Sequence, residues 1–135
     1  MMIVIDTNVI LSGIRKPFSK TASILRPVAD GTIQLAYDLR LLSEYRDVLS
    51  CPKFNFAKEM DAFLAQIEEE GFLVSIKPLE IHLPDSDDEP FLEVALSGKV
   101  EAIVTGNKRH FPSRKCGGVR ILSPAEFPEL LKERT

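Results

Sequence analysis

The chain has 135 residues, 44% hydrophobic and 27% charged, with a formal net charge of −3. That length and balance fit one soluble domain over 1–135 with a sizeable core, and exclude a disordered or fibrous chain. No apolar run approaches the roughly 18 residues of a membrane span, no basic-then-apolar leader opens the chain, and the two isolated cysteines, Cys51 and Cys116, suit buried thiols rather than a disulfide framework or a zinc site. A cytoplasmic protein with no membrane partner is expected.

In chain order, Met2-Ile3-Val4-Ile5 reads as a strand buried on both faces. It changes abruptly to Asp6-Thr7-Asn8, and a short helix is predicted over 9–14, ending near Gly13. Arg15-Lys16-Pro17 is a basic loop. A second helix is predicted over 20–30, kinked or broken by Pro27 and stopped at Gly31. Residues 33–37 read as a strand ending at Asp38. Apolar residues at 41, 42, 45, 48 and 49 have helical spacing, and 58–70 is a clearer amphipathic helix with Gly71 after it. A third strand is predicted over 72–76, then a Pro-containing loop over 77–88. A helix follows over 91–96, with Glu89 and Pro90 in its first turn. Strands over 102–105 and 119–122 come next, and Ser123-Pro124-Ala125-Glu126 is a capping box opening a C-terminal helix. Strands alternating with helices predict an α/β fold: three layers, α/β/α, around a central, mainly parallel sheet of about four to five strands.

Charge is segregated along this order. Residues 7–29 hold Arg15, Lys16, Lys20 and Arg26 and no acid, and residues 102–125 hold five Lys or Arg and no acid. Between these basic flanks, Glu80, Asp85, Asp87, Asp88, Glu89 and Glu93 crowd together. Like charges so close repel, and a cation is one way to relieve them.

In an open parallel sheet, ligands bind at the carboxyl ends of the strands. Asp6 and Asn107 each follow a buried strand, Asp87 and Asp88 begin a helix, and Glu44 flanks the apolar stripe of its own helix. On the residues alone, Asp6 either meets a cation at a cleft mouth or, like Asn8, caps the next helix. Oxygen donors without His or Cys suit Mg²⁺ or Mn²⁺ rather than zinc. His82, in a loop, and His110, in a basic turn, stand away from the acids in sequence.

Four stretches in this order and spacing resemble PIN-domain ribonucleases, specifically the VapC-like toxin components of toxin–antitoxin pairs. They are Val4-Ile5-Asp6-Thr7-Asn8-Val9, Leu42-Ser43-Glu44-Tyr45-Arg46-Asp47-Val48-Leu49, Asp85-Ser86-Asp87-Asp88-Glu89-Pro90-Phe91-Leu92-Glu93 and Ile103-Val104-Thr105-Gly106-Asn107-Lys108. The resemblance implies a PIN fold and cleavage of single-stranded RNA by an acidic quartet holding Mg²⁺ or Mn²⁺. Carried over position by position, the quartet falls on Asp6, Glu44, Asp88 and Asn107, with Asp87 or Glu89 able to take or share the third place. Asn107 stands where an acid is common, so one metal is expected to be held and a second is in doubt. Thr7, Asn8 and Thr105 would orient the acids. Arg15, Lys16, Lys108 and Arg109 would hold the RNA backbone, an ordinary solvated charge being the alternative for each. An antitoxin partner and a homodimer are further implications.

Three other readings fit parts of the pattern. Phosphorelay receivers need an acidic pair after the first strand and phosphatases a D-x-D, and Asp6-Thr7-Asn8 supplies neither. A catalytically weak PIN-like module that binds RNA or protein is the alternative function. Purely structural acids explain any one site well and all four together poorly.

Overall fold

The computed structural model describes residues 1–80 and 82–134. Strand β1 (Met2–Ile5) is central: Ile3, Val4 and Ile5 are fully buried. It pairs in parallel with β2 (Gln34–Tyr37) on one edge, Ile3 opposite Leu35, and with β4 (Ala102–Val104) on the other, Ile5 opposite Val104. The two-residue β3 (Phe72–Leu73) extends the sheet beyond β2, and β5 (Arg120–Leu122) extends it beyond β4. The result is a five-stranded, all-parallel sheet in the order β3-β2-β1-β4-β5, flanked by helices as expected.

Parallel neighbours require crossover connections. Helices α1 (Thr7–Arg15) and α2 (Lys20–Ala29) link β1 to β2, and α3 (Leu39–Leu49) and α4 (Ala57–Glu70) link β2 to β3. Helix α5 (Glu89–Ser97) then carries the chain back past β1 to β4, and α6 (Phe127–Arg134) follows β5. The chain therefore leaves β1 toward one edge of the sheet and builds its other edge only later. The switch falls between β1 and β4, where connections diverge and a crevice opens at the strands' carboxyl ends. No helix among the described residues is long and apolar enough to cross a membrane.

Several boundaries differ from expectation for identifiable reasons. Helix α1 begins at Thr7 rather than Val9, because the Asp6 carbonyl already accepts the amides of Val9 and Ile10; Gly13 lies within it. Helix α2 runs through Pro27, whose missing N–H falls in the last turn, and the Pro27 carbonyl accepts the amide of Ile33 at 3.0 Å. Strand β3 stops early. Only Val74 still reaches β2, through its amide to the Tyr37 carbonyl. Beyond it, the Lys77 and Leu79 amides go to Ser97 Oγ and Glu93 Oε2 of α5. Ile81, in the loop predicted over 77–88, lies outside the described residues. The capping box forms, with Glu126 N–H donating to Ser123 Oγ and Ser123 N–H to Glu126 Oε1, but regular helix starts only at Phe127. Cys116 is buried, whereas Cys51 is only half-buried.

Gly71, between α4 and β3, has φ of −78°, so it is not there for a left-handed turn. It is there for space: a Cβ would lie 2.6 Å from the Ile67 carbonyl oxygen and 2.8 Å from that of Leu35. Both obstacles are backbone. Gly71→Ala is expected to destabilise the fold by about 1–3 kcal/mol. The check is a urea titration, in which the midpoint should fall while the slope holds.

Candidate functional site

Asp6 is tied to the end of β4 twice. Its amide donates to the Val104 carbonyl at 2.9 Å, and its Oδ2 accepts the Thr105 hydroxyl at 2.9 Å. Thr105 is fully buried, and its own amide donates to the Leu122 carbonyl at the end of β5. The Asp6 carboxylate makes no capping bond to α1. Of the two readings the sequence left open, the cap is the one excluded for this carboxylate.

Helix α3 is fastened to the same place. Asp38 starts it by accepting the Leu41 amide at 3.0 Å. Tyr45, fully buried, donates its hydroxyl to the Ile5 carbonyl at 2.6 Å and lies 6.3 Å, ring to ring, from Phe91 of α5. Burial, and then the charges of Asp6, Glu44 and Asp38, push the Tyr45 phenol well above its ordinary pKa, so it remains a donor. One residue earlier, Glu44 Oε2 accepts the hydroxyl of buried Thr7. Two threonines thus hold two carboxylates.

The acidic loop sorts its own members. Asp85 organises the turn into α5, its Oδ1 accepting the Asp87 amide at 2.9 Å and its carbonyl the Asp88 amide at 3.1 Å. Asp87 is exposed, and Glu89 is turned to the loop, where its Oε2 accepts the Leu83 amide at 3.1 Å. Of Asp87, Asp88 and Glu89, Asp88 is the one left facing the crevice. A cleft of about 370 Å³ is lined by Asp6, Asp85 and Asp88 together with Asn8, Gly106, Asn107 and His110. Glu44 does not line it, but its charge is felt there. The Asp88 carboxyl is raised to about 6, first by burial and further by Asp6, Asp85 and Glu44, while His110 pulls the other way.

The remaining expected residues scatter around this cleft. Exposed Asn8 also lines an adjoining hollow with Leu11, Ser12, Arg15 and Lys16. The Asn107 side-chain oxygen accepts the Arg109 backbone amide at 3.2 Å, and the Asn107 backbone amide donates to Thr105 Oγ1 at 3.1 Å. Lys108 is held in an ion pair with Glu126 at 2.9 Å, and Arg109 is exposed. The histidines correct the sequence reading: His110 Nδ1 lies 3.0 Å from Asp88 Oδ2, and His82 Nδ1 lies 3.5 Å from Glu89 Oε2. Asp85 and His110 are the wall residues that sequence reasoning passed over. Each stands three residues from a recognised one, Asp88 and Asn107, and a 3₁₀ turn, which brings i and i+3 to the same side, joins each pair.

A divalent cation can be tested against these residues. Asp88 Oδ2 is buried and, among the described residues, is the one buried side-chain N or O atom without a hydrogen-bond partner. Such an atom amid like charges is costly unless a cation meets it. The oxygen donors around it suit Mg²⁺ or Mn²⁺. Among the described residues no three His, Cys, Asp or Glu side chains are already gathered at ion-binding distance; they share a cleft and a field instead.

A family model, the PIN domain, matches residues 2–109, most of the chain. No curated protein matches, and no solved structure matches.

The raised Asp88 pKa has a signed consequence for the metal-free protein. Folding disfavours the ionised form, so the associated stability is fully present below the unfolded value of 3.8 and is lost as pH rises through about 6. In EDTA, Asp88→Asn is expected to unfold at higher temperature than the parent at pH 8, with the gap closing toward pH 4. Discounted for solvent that still reaches the group, the gain is about 1 kcal/mol. A gap independent of pH would refute the assignment of the charge penalty to Asp88.

Proposed function

The chain belongs to the PIN-domain family, and we propose that it is a metal-dependent endoribonuclease acting on phosphodiester bonds of single-stranded RNA. PIN domains are in general nucleases, which supports hydrolysis as the reaction class. The observation that carries the finer reading is the buried Asp88 Oδ2, without a hydrogen-bond partner, in a cleft shared with Asp6 and Asp85. A bound Mg²⁺ or Mn²⁺ supplies water activation and charge neutralisation at the scissile phosphate. Asp6 and Asp88 would hold it, with Glu44 reinforcing the negative field and Asp85 a further oxygen donor.

The other residues position. Thr105 and Thr7 fix the Asp6 and Glu44 carboxylates through their hydroxyls. Asn8, Arg15 and Lys16 line the hollow next to the cleft, where a strand threading past the acids would lay its phosphates. No side-chain nucleophile is required, so water attacks. Asn107, already committed through its Oδ1 to the Arg109 amide, brings no charge, which supports one strongly held ion rather than two. The role as toxin of a toxin–antitoxin pair, with a cognate antitoxin that blocks the cleft and a homodimeric assembly, belongs to the same proposal and rests on the sequence resemblance.

Cleavage of a mixed-sequence single-stranded RNA is expected with Mg²⁺ or Mn²⁺ and not with EDTA. Asp6→Asn should lower the rate at least about 100-fold while leaving the fold intact by circular dichroism. Equal rates for the variant and the parent, or cutting undiminished in EDTA, would overturn the assignment.

A further inference from the structure

His110 is the feature of the cleft that an acid-only site does not explain. Its place is built by the chain after β4. Asn107 caps a 3₁₀ turn over Lys108–His110, the His110 amide donates to the Asn107 carbonyl at 3.1 Å, and the following Phe111 is buried. That anchor returns the imidazole to the cleft wall opposite the start of α5 in sequence, with Nδ1 3.0 Å from Asp88 Oδ2. The two atoms are at ion-pair distance, but the contact does not make a hydrogen bond, and Asp88 Oδ2 is left without a hydrogen-bond partner.

A nitrogen and an oxygen at that spacing, without donor–acceptor alignment, match two ligands at right angles on one octahedral ion. With metal–ligand distances of about 2.1 Å they would lie about 3 Å apart. Asp6 and Asp85 line the same cleft, and their charges and that of Glu44 act on the Asp88 carboxyl against His110 alone, so a further positive charge is favoured there. Mg²⁺ binds oxygen donors almost exclusively, whereas imidazole suits the first-row transition ions, and a mostly oxygen set favours Mn²⁺ among them. We propose that His110 is a nitrogen ligand of the cation in this cleft and makes the site select Mn²⁺ over Mg²⁺. The proposal rests on the reading above that the cleft holds a divalent ion. His110 stands one residue past the span that matches the PIN domain, so the family match does not assign it.

The test uses the whole chain loaded with Mn²⁺ and reads the metal rather than the reaction. Electron spin-echo modulation of bound Mn²⁺ is expected to show ¹⁴N coupling from one imidazole, absent in His110→Ala and in His110→Asp. By calorimetry, His110→Ala should weaken Mn²⁺ at least about tenfold and Mg²⁺ less than about twofold. His110→Asp, which restores an oxygen donor, should bring the two ions closer together in affinity. Bound Mn²⁺ with no nitrogen coupling, or coupling that survives in His110→Ala, overturns the proposal. Asp6→Asn separates the two readings. If it abolishes Mn²⁺ binding while His110→Ala leaves binding unchanged, the cation site stands and the histidine ligand falls; if neither ion binds the parent chain, both fall.

Discussion

The amide of Asp6 donates to Val104 and its carboxylate accepts from Thr105, so the last step out of β1 is bonded twice to the end of β4. Everything else at the site depends on that junction. Because β1 is enclosed by parallel neighbours on both edges, its backbone is fixed by two ladders and its side chains by the core. The first residue beyond that core inherits its precision. Tyr45 adds a third tie, from α3 to the Ile5 carbonyl, and brings Glu44 within reach of Thr7. The Asp6 and Glu44 carboxylates are held by threonine hydroxyls, and no ion pair to either is formed among the described residues.

The contrast is with the other little-exposed acids near the sheet. Buried Asp38 caps α3 and accepts Arg40, whose guanidinium also reaches Glu93. Exposed Glu126 is held by Ser123 and Lys108. At the crevice, burial and three like charges act on Asp88 with only the His110 imidazole opposing. Folding alone does not favour such an arrangement. It is the expected signature of a site that keeps negative charge ready for a ligand, at a cost in stability of the empty protein.

Much of this was legible in the residue order. A wholly apolar run that turns to Asp6-Thr7-Asn8 marks a buried strand meeting a crevice, and helices alternating with strands mark the parallel sheet. The third acid was legible only as a group. Asp87, Asp88 and Glu89 are interchangeable as letters, and they part company because α5 starts at Glu89 with Pro90 in its first turn: one carboxylate is left in solvent, one faces the crevice and one ties down the Leu83 amide. His110 carries no local mark of the cleft, because it lies 22 residues from Asp88 along the chain (110 − 88). Between them lie α5 and β4, and a helix followed by its parallel strand brings the two ends back to the same edge of the sheet.

By itself the sequence determined the α/β class, the parallel sheet and the location of the acids at strand and helix ends. Those follow from local periodicity and from the cost of burying charge, both properties of short stretches. Only the tertiary structure decided that the Asp6 carboxylate makes no cap to its helix, that Asp85 and Asp88 share a cleft, and that a histidine stands against them. Those facts are set by crossover connections and by the turn after β4, which bring together side chains whose local sequences carry no mark of one another.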